Sequence, residues 1–106
     1  MKPRYLTVDG MLSGTGIRDS VAGGYIEPLK LGLPKSFVER VEQWLRRYEN
    51  AHYTGFEDKT DCTVLDREGI SISVELQEKL PQSKVEYYSH FLAAKLPIST
   101  PELPPL

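Results

Sequence analysis

The chain has 106 residues, 40% of them apolar and 26% charged, with 13 basic and 15 acidic side chains and a formal net charge of −2. This length supports one small domain with a single core, and the composition is that of an ordinary folded protein rather than a disordered or membrane-spanning one. With neither a basic excess nor a block of like charges, the cationic face needed for counterion release is missing, so neither nucleic acid nor membrane is an expected partner.

Residues 1–10 meet Asp9 before a seven-residue apolar stretch can form, so they do not read as a signal peptide. Cys62 is the only cysteine, which forbids an internal disulfide and suits a reducing compartment, so cytoplasm is the expected location. Tyr5, Leu6, Thr7 and Val8 read as a short strand closed by the turn signal Asp9-Gly10. From Gly10 to Gly32 no periodicity is visible, although residues 21–27, with an extended piece at Tyr25-Ile26, could add a third strand. Loops this long are uncommon in compact domains and are often functional.

Residues 9–25, "DGMLSGTGIRDSVAGGY", contain five glycines directly after a strand and raise the question of a phosphate cradle. A dinucleotide fingerprint needs a third glycine where Asp19 stands, and a P-loop needs a lysine that does not follow. Glycines serving turns with positive φ are the simpler expectation. A small-ligand or nucleotide-binding domain built on loop 10–24 is retained as the alternative function.

Pro34 suits a helix start, and Phe37, Val41, Trp44, Leu45, Tyr48 and His52 recur at steps of three and four, with Gly55 as the stop. Trp44 lies in that stripe and is expected in the core. The next segment carries two patterns. Ile70, Ile72, Val74 and Leu76 alternate as a strand does, whereas Leu65, Ile72, Leu76 and Leu80 line one helical face. Thr63 as a cap, Asp66 and Glu68 near a positive N-terminus, and Pro81 as a stop favour helix; Gly69 and the β-branched residues favour strand. Val85, Tyr87 and Ser89 alternate against Glu86, Tyr88 and His90 as a second strand. Four prolines in the last ten residues predict an extended, peripheral tail.

The expected fold is therefore α/β: a small single domain over residues 1–92, ordered strand, long loop, helix, helix, strand. A sheet of two to three strands is covered by two helices, and a proline-rich extended tail follows over residues 93–106. Parallel pairing of the outer strands would put both helices in a right-handed crossover on one face.

Candidate chemistry is sparse. His52, His90 and Cys62 could form a Cys–His pair in space, but a half-buried histidine satisfied by backbone is the ordinary state for each. H-E-x-x-H, C-x-x-C and G-x-S-x-G are all missing from the sequence, so no metal, cofactor or hydrolase site is expected and the chain is not expected to be an enzyme. Glu57, Asp58, Asp61, Asp66 and Glu68 gather in twelve residues against Lys59 and Arg67, a segment that, if exposed, favours a basic partner.

The stretches "YLTVDGMLSGTGIRD", "GGY", "WLRRYENAHY", "LDREG", "LQEKLP" and "KVEYYS", which span residues 4–90, resemble small bacterial immunity proteins of polymorphic toxin systems, of the contact-dependent inhibition and Rhs type. The resemblance implies a cytoplasmic protein that neutralises a cognate toxin domain by direct contact. It carries no catalytic residues over. An acidic surface would speed association with a basic nuclease toxin, and Arg18, Asp19, Tyr25, Glu57, Asp58 and Asp61 are the expected contact residues.

Overall fold

The computed structural model describes residues 4–98. Four strands, β1 (Tyr5–Val8), β2 (Ile17–Asp19), β3 (Lys84–Ser89) and β4 (Ala94–Leu96), form one sheet in the order β2-β1-β3-β4. Between β2 and β3 lie a 3-10 turn (Pro28–Leu31) and two long helices, α1 (Lys35–Tyr53) and α2 (Lys59–Lys79). The central pair β1–β3 is parallel, with Tyr5 opposite Lys84 and Val8 opposite Tyr87, and both outer pairs are antiparallel. The domain is thus α/β with a mixed sheet, and no described helix is long and apolar enough to cross a membrane.

Four strands complete a sheet expected to have two to three. The third strand forms at Ile17–Asp19 rather than within residues 21–27, of which only Tyr25 contributes, as an isolated bridge to Arg18. The cause is a tight turn. Asp19 Oδ1 accepts from the Val21 and Ala22 amides, and Gly23 N–H donates to Asp19 O, which brings Tyr25 back beside Arg18. The fourth strand lies in the segment expected to be tail, pairing Leu96 with Tyr87 and Lys95 with Tyr88. Residues 99–106, the remainder of that tail, lie outside the described residues.

Both helices cover the sheet face that carries Leu6, Val8, Ile17, Val85 and Tyr87, all at most 4% exposed. Trp44, 0% exposed, sits between Tyr48 and Tyr87 and donates from Nε1 to Leu65 O at 2.8 Å, so its one polar atom is satisfied within the core. Each such ring removes about 150–250 Å² from water, roughly 4–6 kcal/mol before conformational entropy is counted. Helix α1 ends as its glycine predicts. Gly55 takes φ +66°, Phe56 N–H reaches Ala51 O, and Gly55 N–H reaches His52 O.

Residues 70–76 are helical. The true cap is Asp58, whose side chain accepts from Asp61 N–H, while Thr63 lies inside the helix and donates to Lys59 O. Asp66 does not serve the helix terminus either, because it points into the core. Gly69 marks a close approach: a Cβ there would lie 2.5 Å from Tyr87 Cζ, so the glycine lets α2 settle on β3.

Candidate functional site

β1 and β3 run the same way, and α1 runs alongside them, so their C-terminal ends, the α1–α2 turn and the β3–β4 turn all meet at one end of the molecule. In open α/β sheets the ground beyond the carboxyl ends of parallel strands is where ligands most often bind. Three side-chain groupings occupy that end.

The first is centred on Asp9, which follows β1 and is 2% exposed. Its Oδ1 accepts from Tyr25 OH at 2.7 Å and from Met11 N–H at 3.2 Å, and its Oδ2 accepts from Arg18 Nε at 3.1 Å. His90, one residue past β3, brings Nε2 to 3.9 Å from Oδ1, beyond hydrogen-bond reach. That nitrogen is buried and has no hydrogen-bond partner among the described residues. The imidazole rests against Tyr88 and His52, with ring centroids 5.0 and 5.5 Å apart. Burial holds its protonation below the usual 6.5; His52 and Arg18 push the same way, and Asp9 and Asp66 pull against it. His52 meets its expected state by pairing Nε2 with Gly10 O at 2.9 Å, whereas His90 finds no backbone partner for its Nε2.

The second grouping is internal. Asp66 receives Tyr87 OH at 2.6 Å and Tyr48 OH at 3.3 Å on Oδ1, and Ser89 Oγ at 2.7 Å on Oδ2. Tyr48 OH in turn accepts from the amides of His90 and Phe91, and Ser89 Oγ accepts from Leu92 N–H. A buried carboxylate served by three hydroxyls thereby anchors the β3–β4 turn over α1. Burial, foremost, and the hydrogen bond to Asp66 raise the Tyr87 phenol far above its ordinary range.

The third is a surface cleft of about 860 Å³ where the end of α1 faces the start of α2. Glu57, Asp58 and Asp61 line it together with Arg47 and Lys59, and all three carboxylates are exposed. Among the described residues, none of the three forms an ion pair. Cys62 lies in its wall at 2% exposure, where burial, followed by Asp66, Asp58 and Asp61, raises the thiol above its ordinary range. That is the reverse of an activated thiolate.

The six residues singled out from sequence thus fall into different settings. Glu57, Asp58 and Asp61 share one cleft. Arg18 and Tyr25 converge on Asp9, and Asp19 shapes the turn that follows β2. Asp9 is the residue that sequence reading passed over, because it looks like a turn signal. Its outward position in the alternation Leu6, Thr7, Val8, Asp9, beside glycine, was the available cue. Two of the loop glycines have packing roles: a Cβ at Gly14 would lie 2.8 Å from the Tyr25 ring, and one at Gly16 would lie 2.7 Å from Val41; Gly23 instead serves a turn at φ +89°. The glycine turn then enters strand β2 rather than the helix that a phosphate cradle would open. Among the described residues no three His, Cys, Asp or Glu side chains group as a metal site.

Comparison with family models, with curated proteins and with solved structures finds no match to the chain.

Proposed function

We propose that this is a binding protein of the immunity type, which neutralises a cognate toxin domain by direct contact and presents the cleft between α1 and α2 to a cationic partner. The observation that carries this reading is the convergence of Glu57, Asp58 and Asp61 on one exposed cleft, with none of the three held in an ion pair. Exposed Tyr53 at the end of α1, 73% exposed, and Val64 in the cleft wall supply apolar contact area beside the charges. Carboxylates free of ion pairs steer a basic surface toward them and are desolvated on contact without breaking an existing salt bridge. On this reading Arg18 and Tyr25 fix the glycine-rich loop through Asp9, and Asp19 fixes its turn, so the loop supports the fold.

The resemblance noted above supplies the partner's class, a toxin domain encoded beside this chain, and a basic nuclease fits the charge. Co-expression tests it. The chain should protect cells producing that domain and co-purify with it, and Glu57→Gln with Asp61→Asn should weaken protection, whereas Glu78→Gln on the same helix should not. No complex and no protection would end this reading.

A further inference from the structure

We propose that His90, beside Asp9, operates a proton-driven latch: with His90 neutral, the β3–β4 turn is held against α1, and protonation of the half-buried ring releases it. The turn, residues 90–93, is fastened by three backbone donors, His90 and Phe91 N–H to Tyr48 OH and Leu92 N–H to Ser89 Oγ. The imidazole packs against Tyr48, His52 and Tyr88, and its Nε2 is buried and has no partner among the described residues. A buried polar atom with no partner is a standing cost to the folded state, so it marks a place where the fold is poised rather than satisfied.

The surroundings decide which way a proton pushes. Asp9 is the carboxylate nearest the ring among the described ion pairs, yet its Oδ1 already holds Tyr25 OH and Met11 N–H, and its Oδ2 holds Arg18. A carboxylate oxygen has two lone-pair positions, so Oδ1 is full and an imidazolium at 3.9 Å gains attraction without a hydrogen bond. From β2 the ring meets the Arg18 charge, and from α1 it meets His52 and Tyr48. Tyr88 of β3 flanks it, and Asp66 of α2 acts from farther off. Burial and the two neighbouring bases outweigh the two carboxylates, in accord with a pKa below 6.5. The charged ring therefore gains by swinging into water, which draws His90, Phe91 and Leu92 off Tyr48 and Ser89. The sign follows: the latch is whole above pH 6.5 and weakens as pH falls below it.

The test is a pH titration of the full chain by NMR, following the two histidine rings together with amide protection. The His90 ring should protonate below 6.5. Protection of the Phe91 and Leu92 amides should fall by up to about tenfold per pH unit below that point, while β1 and β3 amides keep theirs. His90→Phe keeps a ring against Tyr48, Tyr88 and His52 but cannot titrate, and it should flatten the profile. His90→Gln, neutral and polar, should do the same. The latch is overturned by His90 titrating at or above 6.5, by turn protection indifferent to pH, by a dependence that persists in both variants, or by protection lost equally across the sheet.

Discussion

Replacing Gly69 by alanine tests the packing of α2 on the sheet with a change whose sign is in dispute between two physical effects. Helix propensity alone makes the alanine better by about 1 kcal/mol. The structure predicts the opposite, because the new methyl would lie 2.5 Å from Tyr87 Cζ and 2.6 Å from its hydroxyl oxygen. Tyr87 is 0% exposed and its hydroxyl lies 2.6 Å from Asp66 Oδ1, so the ring cannot retreat without giving up that bond. Overpacking costs about 1–3 kcal/mol, and displacing a buried hydroxyl from its acceptor adds about 1–3. Less the propensity gain, the net loss is about 3 kcal/mol, a large share of the roughly 5–15 kcal/mol that holds such a domain together. With a urea m-value of about 1.5 kcal/mol/M, the unfolding midpoint should fall by about 2 M. In a Tyr87→Leu background, which clears the space, the same alanine should cost less than about 1 kcal/mol, giving a coupling near 2 kcal/mol. A Gly69→Ala protein as stable as the parent, or more stable, would refute the close-packed account of this contact.

Other outcomes follow from the same end of the molecule. Asp66→Ala should cost about 3–5 kcal/mol in urea unfolding, since it leaves three buried hydroxyls without their shared acceptor. Tyr25, Tyr48 and Tyr87 are all pushed above the ordinary phenol value of 10.0, chiefly by burial. A raised native value means their contribution is whole below pH 10 and is lost as pH rises beyond it, so phenolate absorbance and loss of far-ultraviolet ellipticity should rise together above that point. Tyr25→Phe should shift that alkaline transition upward. Cys62, 2% exposed with a raised thiol pKa, should react with an aromatic disulfide at least about a hundredfold more slowly in the native chain than in urea.

Helix α1 was legible because six residues from Phe37 to His52 repeat at helical spacing, and its stop at Gly55 followed from local chemistry. Residues 70–76 carried both periods. What decides for helix is tertiary: Ile72, Ser73 and Leu76 are buried, and the glycine that looked like a breaker is clearance for Tyr87. Strands β2 and β4, three residues each, are too short to show alternation, and each exists because a neighbouring strand offers its edge. Within the site, the acidic cleft was readable because Glu57, Asp58 and Asp61 are close in sequence. The Asp9 cluster was not, since it joins residues 9, 18, 25 and 90, and only the parallel register of β1 and β3 brings its two ends together.

The most direct test of the cleft as a docking site is the association rate between this chain and the toxin domain proposed as its partner, measured at about 50 and about 500 mM salt. The account predicts a stable complex whose association slows at least about tenfold at the higher salt, and comparably in the Glu57→Gln/Asp61→Asn chain at the lower salt, with Glu78→Gln unchanged. A complex whose association ignores both salt and the two substitutions would contradict it, as would the absence of a complex.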